Sequence, residues 1–139
     1  MSNPGESKTA GTPPAEILGV PMLEIELVSE ALNDFDLAQQ QQFGDLVNAA
    51  IVRNFKAAEL KGQPVSIRGL ARVIGIQPST LRRRITQLVD RGWLERRGEQ
   101  VHYSAKSYAY GAPASRRAVL RFAQVLKQLG WGDFRPPPD

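Results

Sequence analysis

The chain has 139 residues, 42% hydrophobic and 23% charged, which suits one folded unit with tails and leaves too little for two independent cores. With no cysteine and a single histidine, His102, it excludes disulfides, thiolate metal sites, iron–sulfur clusters, cysteine nucleophiles and two-histidine zinc motifs. Its net charge is +4, and no apolar run approaches the roughly 20 residues of a membrane-crossing helix, so a soluble, cytoplasmic chain is expected, with no membrane partner.

Residues 1–21 hold Pro4, Gly5, Gly11, Pro13, Pro14, Gly19 and Pro21 with few large apolar side chains, and read as a disordered N-terminal tail. Their start, Met1-Ser2-Asn3-Pro4-Gly5, lacks the basic and apolar regions of a secretory signal. Residues 22–35 read as a short helix, although Leu23, Ile25 and Leu27 alternate as a strand does. Asp36 is then the expected N-cap of a longer helix. Its stripe of Phe43, Leu46, Val47, Ala50, Ile51, Phe55 and Ala58 follows three-and-four spacing and ends at Lys61-Gly62.

Gln63-Pro64-Val65-Ser66-Ile67 reads as a brief edge strand running into Ser66, the N-cap of a second helix with Ile67, Leu70, Ala71 and Ile74 on one face. Gly75 closes that helix after about two turns. Pro78 suits the first position of a third helix, 78–91, whose buried stripe is Leu81, Ile85, Leu88 and Val89 and whose end is Gly92. Residues 93–97 and 101–105 read as two strands around a polar turn. Tyr108–Gly111 is an expected loop, Pro113 opens a last helix with Val119, Phe122, Val125, Leu126 and Leu129 apolar, and Gly130 stops it. Residues 131–139 finish in Pro136-Pro137-Pro138 and read as a loose end.

Helix, short strand, short helix, tight turn, longer helix and hairpin, in that order, make a mainly α fold with a small β-hairpin wing: a winged helix-turn-helix over residues 22–130, with flanking helices for dimerisation. Leu70-Ala71 on the first helix, Gly75 in the turn, Ser79-Thr80-Leu81 opening the second helix and Arg91-Gly92-Trp93-Leu94-Glu95-Arg96 at the exit resemble, together, the DNA-binding segment of MarR-type and GntR-type transcription regulators. The resemblance covers roughly residues 62–105 and implies sequence-specific binding of double-stranded DNA, a homodimer and a nucleoid-associated regulator. It departs from the family at Gln77-Pro78, where many relatives have a small polar N-cap, and in a shorter C-terminal part. By family analogy alone, a small-molecule effector can accompany such a fold.

The residues point the same way on physical grounds. Residues 1–60 carry three basic and nine acidic side chains, residues 61–100 nine and three, and residues 101–139 six and two. A basic middle third fits a polyanion-facing surface, because Lys and Arg release counterions from phosphates; a solvated basic face with no partner fits the charge alone equally well. A helix advances about 100° per residue, so a buried Leu81–Ile85–Leu88–Val89 stripe leaves Ser79, Arg83, Thr86 and Asp90 outward and Arg82 and Arg84 on the two flanks. That pattern suits a major groove, with Arg83 and Ser79 toward base edges and Arg82 and Arg84 toward the two phosphate walls; the resemblance implies Arg82 as the next base-reading candidate. Gln77 and Thr80 join them at the start of the helix, Arg68 stands near the N-terminus of the preceding helix as a phosphate contact, and Arg96 and Arg97 lie on the hairpin over residues 95–103 toward backbone or minor groove. The bland alternative is a solubilising arginine-rich surface, but such faces usually alternate signs and this one does not until Asp90.

No catalytic residue, metal ligand or cofactor site is expected. The chain has no Gly-rich phosphate loop of the required spacing and no Gly-x-Ser-x-Gly elbow, and His102 and Trp93 read as structural. The competing function is a winged helix used as a protein-interaction module without specific DNA binding.

Overall fold

The computed structural model describes residues 14–17 and 19–130 and is mainly helical with small antiparallel β-pairings. In chain order the elements are β1 (Glu16–Ile17), β2 (Val20–Pro21), α1 (Met22–Phe43), α2 (Leu46–Lys61), α3 (Ile67–Ile74), α4 (Pro78–Asp90), β3 (Leu94–Arg97), β4 (Gln100–Tyr103) and α5 (Ala105–Leu129). Among the described residues no helix is long and apolar enough to cross a membrane.

The tail expected over residues 1–21 lies outside the described residues up to position 13. Its last part departs from expectation: Glu16 and Ile17 pair antiparallel with Pro21 and Val20, and the Met22 N–H reaches the Ala15 carbonyl at 2.9 Å. The loose end expected at 131–139, with Trp131, also lies outside the described residues.

Two helix boundaries are corrected. Asp36 is not an N-cap, because α1 runs through it to Phe43 without a break. The break comes at Gly44, whose φ of 101° few side chains tolerate, and at Asp45, which is extended and accepts the Asn48 N–H at 2.7 Å. The second correction concerns residues 105–113. Ser104 accepts the Ser107 N–H at 3.1 Å and its own hydroxyl donates to the Gly92 carbonyl at 2.6 Å, so the last helix starts at Ala105 and takes in the expected loop. Pro113 therefore sits inside α5 instead of opening it; its missing N–H deprives the Ala109 carbonyl of its usual donor, at a place where both residues are exposed to water.

The remaining boundaries follow the cap chemistry. Ser66 accepts the Gly69 N–H at 3.1 Å, Gly62, Gly75 and Gly130 end their helices in the left-handed region, and Pro78 holds the first position of α4. The brief edge strand expected at 63–67 does not form. Residues 63–66 are irregular, Ile67 is already helical, and β4 pairs only with β3. Pro64 offers no N–H to a ladder, and the stretch is squeezed between the end of α2 and the cap of α3.

The core is built where three helical stripes and the hairpin root meet. Ile51, Val52 and Phe55 of α2, Leu70 and Ala71 of α3, and Leu81, Ile85 and Leu88 of α4 form one cluster with Phe43, Leu94 and Tyr103. Fully burying each Leu or Ile side chain contributes roughly 1.5–3 kcal/mol, so this stripe dominates the placement of α4. The hairpin folds back over the same cluster, with Leu94 opposite Tyr103 and Arg97 opposite Gln100 around a turn at Gly98-Glu99. Trp93 packs edge-on against Phe43 and Tyr110, with the Lys106 ammonium 4.1 Å above its ring, which makes it the packing anchor the sequence suggests. Helices α1 and α5 lie against each other beside this body.

Candidate nucleic-acid interface

Helices α3 and α4 are joined by Gly75-Ile76-Gln77, a turn that works because Gly75 takes φ 82° and the N–H groups of Gly75 and Ile76 both reach the Ala71 carbonyl, at 2.8 and 3.0 Å. Ile76 tucks against the core and α4 then leaves in a new direction. Gln77 makes no side-chain cap to α4, so the amides of Ser79 and Thr80 at the helix start find no capping side chain.

With Leu81, Ile85 and Leu88 buried, the outer face of α4 carries Ser79, Arg82, Arg83, Thr86 and Asp90, all exposed. Thr86 donates its hydroxyl to the Arg82 carbonyl at 3.1 Å, which keeps that side chain close to its own helix. The side chains of Arg82 and Arg83 make no hydrogen bond or ion pair among the described residues, and the same holds for Arg68 at the start of α3 and Arg96 on β3. Thr80 is half-buried on the flank of α4, and Gln77 is exposed at its start.

Two of the cations expected on this surface are placed differently. Arg84 turns inward: its guanidinium meets the Asp45 carboxylate at 2.7 Å and the Asn48 side-chain carbonyl at 3.0 Å, while its buried Nε–H finds no partner among the described residues. It is a strut between α4 and the α1–α2 hinge, not a free phosphate contact. Arg97 is exposed but engaged by Glu95 on its own strand and by Glu59 of α2 at 3.6 Å, and the Glu95 carboxylate beside it raises its pKa further. The face is therefore narrower than the charge pattern suggested; of the cations expected on it, Arg82, Arg83, Arg68 and Arg96 stay unpaired among the described residues.

Sequence reasoning missed the acids that do this. Asp45 caps α2 and holds Arg84 at once. Glu59 clamps the hairpin, taking Arg97 with one oxygen and the His102 Nδ1, 2.9 Å away, with the other. His102 is thus structural, as its isolation in the sequence suggested. The signal for Asp45 was Gly44-Asp45 followed by Asn48, a cap pattern inside an otherwise unbroken apolar spacing. No group of acids and histidines that could hold a metal occurs among the described residues.

Comparison with known proteins returns no matching family model, no similar curated protein and no similar solved structure.

Partial burial pushes the Asp45 carboxyl up, but the Asn48 amide and the Arg84 guanidinium outweigh it and leave its pKa below the ordinary carboxylate value. The stability it contributes is therefore fully present above that ordinary value, about 3.8, and is lost as pH falls through the lower folded-state value. Asp45→Asn keeps a competent N-cap and removes the charge, so it should cost about 1 kcal/mol or less at neutral pH, the carboxylate being half exposed and screened. Urea denaturation at neutral and acid pH should show the gap between variant and wild type closing in acid; a gap that persists there would place the effect in the cap and not in the ion pair.

Proposed function

We propose that this chain is a winged helix-turn-helix protein that binds double-stranded DNA, with α4 in the major groove and the β3–β4 hairpin as its wing. The observation that carries the reading is the two-sidedness of α4. Its inner stripe is locked into the core, and its outer face presents Ser79, Arg82 and Arg83, with no acid among the described residues paired to the two guanidiniums. Arg83 points directly outward and is the base-reading side chain, since a guanidinium matches the paired acceptors of guanine; Ser79 reads beside it. Arg82 on the flank, Arg68 at the start of α3 and Arg96 on the wing take phosphates, and the uncapped amides at the start of α4 add to them.

A regulator of transcription is the role this surface suits best, working as a homodimer so that two modest half-site affinities combine. The helices outside the helix-turn-helix supply the dimer contact: α1 exposes Leu23, Leu32 and Leu37, and α5 exposes Val119. Sedimentation of the wild type should give a dimer and Leu37→Glu a shift toward monomer. A wild type that sediments as a monomer at micromolar concentration removes this part of the reading.

Duplex binding is tested by fluorescence anisotropy at a series of salt concentrations. The wild type should weaken steeply with salt, and Arg82→Ala should lower the log–log slope by roughly 0.9, the share of one phosphate no longer neutralised, while adding Arg83→Ala should cost affinity chiefly for the preferred sequence. Arg84→Ala should change the slope less, because Asp45 already answers that charge. Absent or salt-insensitive binding by the wild type overturns the proposal and favours the protein-interaction reading.

A further inference from the structure

One turn beyond Arg83 on the outer face of α4, Thr86 and Gln87 are both exposed. Leu81, Ile85 and Leu88 set the inward direction of the helix, and Arg83 lies almost opposite them. At about 100° per residue, Thr86 falls roughly 50° to one side of the outward direction and Gln87 roughly 50° to the other. The two side chains therefore straddle the line along which Arg83 points. In a groove, such neighbours face opposite strands of the duplex.

What each can offer is decided by its hydrogen bonds. The Thr86 hydroxyl gives its proton to the Arg82 carbonyl at 3.1 Å, so it has none for a base or a phosphate, and its γ-methyl is the group left to meet a partner. The Gln87 side-chain amide makes no hydrogen bond among the described residues, which leaves its N–H donors and its carbonyl available. An amide pairs in bidentate fashion with N6 and N7 of adenine, and a small apolar group meets the methyl of thymine. The two residues thus answer both sides of one A·T pair. A G·C pair has no methyl, and guanine shows two acceptors in place of the donor and acceptor that an amide matches. Gln87 stands about 6 Å along the helix from Arg83, close to two base-pair steps of about 3.4 Å each. Asp90, exposed less than a turn further, brings a carboxylate that phosphates repel, so contact with the duplex ends there.

We infer that Thr86 and Gln87 together read one A·T pair, Thr86 by the thymine methyl and Gln87 by the adenine edge, two steps from the guanine met by Arg83. The inference rests on the proposed duplex binding and adds its sequence class, a half-site in which an A·T pair follows a guanine at that spacing. Neither side chain is charged, so neither releases counterions, and both act on specificity without touching the salt-dependent part of the affinity.

The test enriches bound duplexes from a randomised pool with the whole chain, then measures the enriched duplex by fluorescence anisotropy with base analogues in the A·T pair. The wild type should enrich a guanine with an A·T pair two steps away. Uracil in place of thymine removes only the methyl and should weaken the wild type about fourfold, the worth of one buried methyl, but should not weaken Thr86→Ser, which keeps the hydroxyl bond. 7-Deazaadenine in place of adenine removes the N7 acceptor and should weaken the wild type about tenfold, but should not weaken Gln87→Ala. Both variants should keep the wild-type salt slope, which a structural loss in α4 would change. Enrichment without an A·T pair at that spacing, or wild-type affinity indifferent to either analogue, overturns the inference and leaves duplex binding standing. Sensitivity to an analogue that persists in the matching variant overturns it as well, because another residue then reads that base. A wild type that binds no duplex in the pool overturns both this inference and the reading it rests on.

Discussion

Everything about the outer face of α4 depends on the burial of its inner one. Leu81, Ile85 and Leu88 insert against Ile51 and Phe55 of α2 and Leu70 of α3, and Leu81 and Leu88 retain no measurable exposure. Because a helix is rigid and its side chains recur at fixed angles, locking one stripe decides the direction of every other residue. Rotating α4 by even one position would bury an arginine without a partner at a cost of several kcal/mol. Arg82 and Arg83 are therefore presented outward by core packing and not by any contact of their own.

Around that stripe, charges are sorted into those that hold the structure and those left available. Asp45 and Asn48 take Arg84 and fix α4 against the hinge between α1 and α2. Glu59 takes His102 and Arg97 and fixes the hairpin against α2. Of the cations expected at the interface, Arg68, Arg82, Arg83 and Arg96, distributed over α3, α4 and β3, remain without an ion pair among the described residues. On the proposed reading this remainder is what matters for phosphate binding, since a guanidinium already neutralised by a carboxylate releases few counterions.

The sequence made the buried stripes and the glycine-ended helices legible, because burial imposes a period and left-handed caps demand glycine. Ile67, Leu70, Ala71 and Ile74, and then Leu81, Ile85 and Leu88, stand out for that reason. It hid the break at Gly44-Asp45, where Phe43 and Leu46 continue an apparently helical spacing across a chain reversal. It also hid the start of α5, where aromatic residues, Gly111 and Pro113 resemble a loop, although Ser104 and Ser107 supply a cap. The partner of Arg84 lies 39 residues away, beyond any local pattern, so an inward strut looked like an outward cation.

The most direct measurement of the central claim is a map of amide chemical-shift changes on adding a short duplex to the labelled protein. With α4 in the groove, the largest changes should fall over residues 77–83, at Arg68 and along residues 96–100, with the exposed faces of α1 and α5 unaffected. Changes confined to α1 and α5, with α4 silent, would contradict the claim and assign the basic face to solvent.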